Sequence, residues 1–180
     1  MILKTSYDLA LQVVLREEGG YVNNPNDPGG ATYRGVTQAT YNAYRHSKGL
    51  PPQHVKKCSM AETADIYRNL YWDKIRGDDL PVGVDLAVFD FAVNSGVSRA
   101  SKMVQHLAGV EADGILGPAS LKAISGAQAG LADRLCDERL RFLHTLRTFI
   151  HFGKGWTARV ERVRAAAKQM RKVYSESVSH

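Results

Sequence analysis

The chain has 180 residues, 44% hydrophobic and 23% charged, a composition that suits one domain, with or without a small appended lobe, and excludes a disordered chain. No apolar run is long enough to span a bilayer, and the N-terminal segment lacks the uninterrupted apolar core of a signal peptide. The net charge of +6 favours polyanionic partners such as nucleic acid, anionic lipid surfaces or acidic cell-wall polymers.

Cysteine and histidine usage gives no sign of a disulfide framework or a metal site. Cys58 and Cys136 have no zinc-binding spacing, so we expect two buried, reduced thiols. The six histidines are scattered, without a pair at helical ligand spacing. We therefore expect no metal and no cofactor. We also expect no nucleic-acid partner, because the sequence carries no recognisable nucleic-acid-reading motif.

The first half of the chain shows helical patterns around one short β-hairpin. Thr5 and Asp8 have capping-box spacing, which predicts a helix from Ser6 to Glu18. A β-hairpin is plausible at 30–37, and a second helix is expected at about 38–47, before a loop with one glycine and two prolines.

Two further helices are expected before residue 96. Ser59 and Glu62 form another capping box, which opens a helix whose apolar positions continue to Tyr71. The segment 84–94 is apolar nearly all round, so it predicts a buried central helix ended by Gly96.

The character of the chain changes at about residue 95. A helix, an Asp-Gly turn and a new helix with Pro118 in its first turn are followed by long helices at about 130–150 and 156–174. The predicted fold is mainly α, with domains at 1–94 and 95–176.

The end of the first helix carries the most informative carboxylate. At 100° per residue, Glu18 projects into the apolar stripe of this helix and Glu17 lies at its edge. Burial and the negative end of the helix dipole both raise the pKa of such a carboxyl group. Glu18 is therefore the candidate general acid. The alternative is that Glu18 caps a turn or pairs with Arg16 or Arg34.

A second carboxylate, Asp27, follows nine residues later in a turn-rich stretch. Two carboxylates held apart by a short loop are the minimum apparatus for hydrolysing a glycosidic bond. Asp27 would orient a water or stabilise the transition state, although an aspartate before Pro28 is also a common turn former. Thr32 and Thr37 are candidates for positioning that water, against the commoner case of exposed strand threonines.

Further candidates for sugar contact lie on the later helices. Asp90 and Asn94 share one helix face and either hydrogen-bond the loop after Glu18 or line a sugar-binding cleft. Aromatic rings can stack on sugars, although most aromatics at helical spacing belong to a core. The aromatic candidates are Tyr71, Trp72 and Trp156.

With these residues identified, the chain resembles the glycoside hydrolase family 108 peptidoglycan hydrolases, which include phage endolysins and secretion-associated muramidases. The matching segments are EGGYVNNPNDPGGATYRGVT at 18–37, YWDKIRGDDLP at 71–81 and FDFAVNSG at 89–96. The second half resembles the peptidoglycan-binding domain of this family through VQHLAGVEADGILGPASLKAI at 104–124 and FGKGWTARV at 152–160.

The resemblance implies a lysozyme-like helical domain followed by a helical peptidoglycan-binding region. It also implies that Glu18, directly before GGY, is catalytic, and Tyr21 of the same motif is a candidate sugar contact. The expected reaction is cleavage of the β-1,4 bond between MurNAc and GlcNAc. A weaker resemblance links the chain to phage-type lysozymes with a Glu, Asp and Thr triad, for which Thr32 lies one residue too early.

Two rival functions remain open from the sequence. A lytic transglycosylase needs the acid but no activated water, and a non-catalytic wall-binding or secretion-accessory protein would retain the glutamate for structure. For the hydrolase, the expected partner is bacterial peptidoglycan, reached from the cytoplasm through a holin or a dedicated secretion channel. We expect a monomer that acts in the periplasm or cell wall after release.

Overall fold

Helices dominate the computed structural model, which describes residues 5–25 and 30–178. Within these ranges, eight α-helices and a three-stranded sheet confirm the predicted mainly α fold with a small hairpin. The elements are α1 (Ser6–Glu18), β1 (Tyr21–Val22), β2 (Thr32–Tyr33), β3 (Val36–Thr37), α2 (Gln38–Ser47), α3 (Met60–Tyr67), α4 (Val84–Ser95), α5 (Val97–Leu107), α6 (Pro118–Gly126), α7 (Leu131–His144) and α8 (Phe149–Val178). In this part of the chain, no helix is long and apolar enough to cross a membrane.

The chain divides into two compact units. The smaller unit is Leu11–Leu70, and the larger unit is Met1–Ala10 with Tyr71–His180. The predicted domain limits, 1–94 and 95–176, remain a proposal about sequence modules.

The smaller unit holds the antiparallel sheet, in the order β1-β2-β3, and the helices α2 and α3. A polar cluster links these two helices, because Glu62 accepts a hydrogen bond from the Tyr41 hydroxyl at 2.8 Å and pairs with Arg45 at 2.7 Å. Glu62 also completes the predicted capping box with Ser59. One side chain therefore both starts α3 and ties it to α2.

The larger unit is built around α4. Every residue from Val84 to Ala92 is buried, which explains why this segment is apolar all round rather than along one stripe. The helices α5, α7 and α8 pack against it. Gly96, with a φ of 96°, ends α4 and begins α5.

Most local helix signals are confirmed. Thr5 and Asp8 exchange the backbone-to-side-chain bonds of a capping box, at 2.9 and 3.2 Å. The second helix has the predicted bounds, and Pro118 is the first residue of α6. Cys58 and Cys136 are free and buried.

Several helix boundaries differ from the prediction, and one of them is the end of α7, which lies at His144 instead of about residue 150. The helix that begins after Ser59 ends at Tyr67 and continues as a π-helical turn, Arg68–Trp72. The last helix begins at Phe149, seven residues before the predicted start. The Phe149 ring occupies the space where a Cβ atom of residue 153 would stand, so a glycine is needed at this position of the helix. Packing thus overrides the usual weak helix propensity of glycine.

Candidate active site

Glu18 is the last residue of α1. Its side chain is half-buried, and so is that of Glu17, so burial alone does not separate the two. The chain leaves the helix through Gly19, whose φ of 73° lies in the left-handed region, as is common just after a helix C-terminus. The strand β1 follows within three residues.

A tight turn of Arg34 and Gly35 joins β2 to β3. Both central residues have positive φ, 52° and 76°, the pattern of a type I′ hairpin turn. The pairing of Tyr33 with Val36 and of Thr32 with Thr37 fixes the register.

The backbone of this turn lies directly against the Glu18 carboxylate. A Cβ atom added to Gly35 would stand 2.9 Å from Glu18 Oε2 and would overlap the Tyr67 hydroxyl. Gly35 is therefore required twice, for its backbone conformation and for the close approach. No periodicity in the sequence indicates this role of Gly35, although two residues between the strands TY and VT are a recognisable hairpin signal.

Tyr67, at the end of α3, holds the same turn. Its side chain is buried, and its hydroxyl donates a hydrogen bond to the Arg34 carbonyl oxygen at 2.8 Å. The two residues of this bond lie 33 positions apart, so no pattern within the helix sequence indicates it.

The sheet brings three predicted site residues of this unit together. Thr32 pairs with Thr37 on one side of its strand and with Val22 on the other. Tyr21 is the residue before Val22 in β1. The Thr37 hydroxyl accepts the Thr40 backbone N–H at 3.1 Å and so caps α2. Tyr21 is 37% exposed and lies beside Lys56, whose ammonium group is 5.3 Å from the ring centroid.

The predicted second carboxylate, Asp27, lies in the segment 26–29, outside the described residues. In residues 5–25 and 30–178, no three His, Cys, Asp or Glu side chains group in a way that could hold a metal ion.

Asp90 has a structural role instead of the predicted sugar contact. It is fully buried in α4 and pairs with Arg139 at 2.6 Å and with Arg159 at 2.8 Å. Burial alone would raise the Asp90 pKa, but these two charges outweigh it and hold that pKa below its usual range. Arg139 also donates to Asn94 Oδ1 at 3.2 Å, and Asn94 remains exposed.

Trp72 also belongs to the core rather than to a sugar-binding surface. It is fully buried, and its Nε1–H donates to Asp78 Oδ1 at 2.9 Å. The Phe89 ring meets it edge-on, with centroids 5.2 Å apart. The backbone of Gly77 lies on the indole so closely that a side chain there would overlap it.

The other two aromatic candidates keep partly accessible rings. Tyr71 and Trp156 are half-buried. The Trp156 ring lies 5.8 Å from Phe152 and 6.2 Å from Phe149, measured between centroids. These three rings line up on one side of α8.

Comparison with known proteins covers almost the whole chain. Residues 11–96 match the family model described as Glycosyl hydrolase 108, and residues 99–161 match the model described as Predicted Peptidoglycan domain. Twelve chains of solved structures match. One is SagA of Brucella abortus, with 45% identity, coverage of 92% of this chain and 95% of that chain, and a TM-score of 0.77. No curated protein matches.

Proposed function

Because the chain belongs to glycosyl hydrolase family 108 and is a peptidoglycan hydrolase, we propose that it is an N-acetylmuramidase with Glu18 as its general acid. It cleaves the β-1,4 bond from MurNAc to GlcNAc. A lytic transglycosylase or a non-catalytic wall-binding protein would be the outcome that contradicts this proposal.

The surroundings of Glu18 carry this proposal. Its carboxylate stands at the end of α1 against the backbone of Gly35, in a turn that Tyr67 holds by a hydrogen bond. A general acid needs a fixed position beside the oxygen that it protonates. The close approach of the Gly35 backbone limits the movement of the carboxylate on this side.

In the proposed reaction, Glu18 protonates the leaving oxygen. Asp27 orients a water molecule or stabilises the oxocarbenium-like transition state, and Thr32 is the candidate third member. The proposed sugar contacts are Tyr21, Thr37, Tyr71, Asn94 and Trp156. Trp72 and Asp90 are left out of this set because both are fully buried.

The decisive experiment compares Glu18→Gln with Glu17→Gln, which removes the neighbouring carboxylate from the same helix. Loss of a general acid typically costs about 10²–10⁴-fold in rate. We expect at least a hundredfold slower release of reducing ends from purified peptidoglycan for Glu18→Gln, with an unchanged thermal midpoint. Glu17→Gln should stay within about threefold of the wild type. Near-normal hydrolysis by Glu18→Gln would contradict the assignment.

Mass spectrometry of the products distinguishes the two enzymatic reactions. A muramidase leaves reducing MurNAc ends, whereas 1,6-anhydro ends would identify a lytic transglycosylase. A wild-type protein that binds peptidoglycan without releasing any sugar would instead support the non-catalytic alternative.

The location and assembly of the enzyme form the remaining part of the proposal. It reaches the periplasm or cell wall through a holin or a dedicated secretion channel and acts as a monomer. Light scattering coupled to gel filtration tests the monomer, and wall lysis that depends on co-expression of a holin tests the export route.

A further inference from the structure

A cavity of about 600 Å³ opens beside α5, in the larger unit. Its lining comes from the end of α4, from one face of α5 and from the loop after α5. Three of the lining side chains are basic, Arg99, Lys102 and His106, and none of the lining residues in the described part of the chain carries a carboxylate. Five of its eight lining residues, including the three basic ones, belong to the segment that matches the peptidoglycan-domain model.

Helix geometry explains why the three basic side chains share this cavity. Steps of three and four residues along α5 place Arg99, Lys102 and His106 on one face, and all three are exposed. The opposite face, with Ala100 and Val104, is fully buried. The rotation of α5 is therefore fixed by its core side, and the basic face is held toward the cavity.

The wall formed by the loop after α5 is held by a buried glutamine. Gln105 is 1% exposed, and its Nε2 donates to Asp113 at 2.8 Å and to Ser120 at 2.9 Å. Its Oε1 accepts the Gly114 backbone N–H at 2.8 Å. A Cβ atom on Gly114 would lie only 3.4 Å from Lys102 Cε, so the loop packs closely against the basic face.

The Arg99 guanidinium group is held by an aromatic ring, and Lys102 lies within electrostatic range of Asp113. The Arg99 guanidinium carbon lies 4.1 Å from the Phe142 ring centroid, a cation–π contact. Hydrogen bonds from Gln105 and from a backbone N–H lower the pKa of Asp113, and the charge of Lys102 contributes. An ammonium group has three donors, so this neighbour leaves Lys102 with donors for a ligand.

We propose that this cavity binds a carboxylate group of the peptide part of peptidoglycan. The proposal rests on the proposed function in taking peptidoglycan as the substrate. Arg99 and Lys102 provide the charge-assisted donors that carboxylates prefer. Met103 and Ala112, which also line the cavity, suit the small aliphatic side chains beside such carboxylates. Binding here favours peptide-bearing strands over bare glycan.

Calorimetric titration of the full chain tests the site. The probes are a synthetic wall-type tetrapeptide with free carboxylates, its fully amidated form and inorganic phosphate. The double variant Arg99→Gln/Lys102→Gln is compared with Lys168→Gln/Lys172→Gln, which removes two exposed charges from α8. We expect the acidic peptide to bind at least about tenfold more weakly to the cavity variant. The α8 variant should stay within about twofold, and the amidated peptide should bind weakly to every protein.

Three results would overturn the site: equal losses in the two double variants, an unchanged affinity of the cavity variant, or phosphate binding as tight as that of the peptide. If Arg99→Gln perturbs folding through its contact with Phe142, the single variants Lys102→Gln and Lys168→Gln replace the pair. The tetrapeptide carries no glycosidic bond, so its binding is independent of the Glu18 assignment, and either proposal can fail alone.

Discussion

Glu18 and Asp90 are both acidic side chains on helices with apolar faces, yet their surroundings differ in kind. Asp90 is fully buried in α4 between Arg139 and Arg159. Glu18 is half-buried at the end of α1, against the backbone of Gly35. A carboxylate enclosed by two cations is held ionised and serves the fold. A carboxylate at a helix end, beside a turn that contains a glycine, stays partly exposed to solvent and can take part in a reaction.

The largest expected effect tests the structural half of this comparison. Asp90→Asn leaves the buried Arg139 and the half-buried Arg159 without their counter-charge, which should lower the free energy of unfolding by about 3–5 kcal/mol. The control is Asp137→Asn, which breaks the ion pair between Asp137 and Arg164. Because the Asp137 side chain is 51% exposed, this variant should lose less than about 1 kcal/mol in the free energy of unfolding. Urea unfolding followed by tryptophan fluorescence reports on this unit, because Trp72 and Trp156 both belong to it. Similar midpoints for the two variants would contradict the assignment.

A third carboxylate, Asp85, sharpens the comparison because it is buried and its hydrogen-bond partners among the described residues are the neutral groups of Ser6, Gly83 and Leu86. Burial raises its pKa to about 6, although the Ser6 hydroxyl and the backbone N–H groups of Leu86 and Gly83 oppose the rise. The folded protein therefore keeps this proton between about pH 4 and pH 6, while the unfolded chain loses it. Stability falls as pH rises through this range, by about 3 kcal/mol, and the loss persists at neutral pH.

Asp85→Asn should remove this pH dependence. The amide oxygen can still accept the backbone N–H groups of Gly83 and Leu86, both of which donate to Oδ1. We expect the free energy of unfolding of the variant to exceed that of the wild type by up to about 3 kcal/mol at pH 7.5. This difference should disappear near pH 4. Urea unfolding of both proteins at several pH values measures the difference. A stability difference that does not change with pH would show that Asp85 has an ordinary pKa in the folded state.

The reactive half of the comparison is tested at Gly35. Gly35→Ala forces a Cβ atom against Glu18 and Tyr67, and small displacements of a catalytic group can cost up to about a hundredfold in rate. We expect kcat for peptidoglycan hydrolysis to fall about ten- to a hundredfold. Gly49→Ala is the matched control, because Gly49 has a φ of 67° with no atom within 4 Å of the added Cβ. Equal activity of the two variants would remove the positioning role of Gly35.

The smallest expected effect concerns Tyr67. Tyr67→Phe deletes the hydrogen bond to the Arg34 carbonyl oxygen, which is worth about 1 kcal/mol. The turn then becomes more mobile, but no atom is added that would displace Glu18. We expect kcat to fall less than in Gly35→Ala, with KM unchanged. Tyr44→Phe, which removes a 2.9 Å hydrogen bond to Asp65 in the same unit, should leave kcat unchanged. A larger loss in Tyr44→Phe than in Tyr67→Phe would contradict the role of the turn.

Local signals in the sequence predicted much of the fold. The capping boxes at Thr5 and Ser59 started helices where the structure has them, because such bonds join residues only three positions apart. The hairpin at 30–37 was recognised for the same reason. The start of α8 was missed because its first two turns contain two glycines, at 153 and 155, and the local helix propensity of glycine is weak.

The candidate site was predicted less completely than the fold. Helix phase and the family motif pointed to Glu18, and the structure adds Gly35 and Tyr67, which no periodicity singled out. The same pattern-based reasoning assigned sugar contact to Asp90 and Trp72, whose partners enclose them in the core. A polar or aromatic residue on a helix face has the same spacing whether its partner is a sugar or another helix.

By itself, the sequence determined the mainly α class, most helix starts and the family, because these follow from short-range hydrogen bonds, apolar periodicity and contiguous motifs. Tertiary structure alone decided that Asp90 meets Arg139, 49 residues away, and that the turn at Gly35 lies against Glu18. Such contacts depend on how helices pack, and packing is set by the whole chain rather than by any window of it.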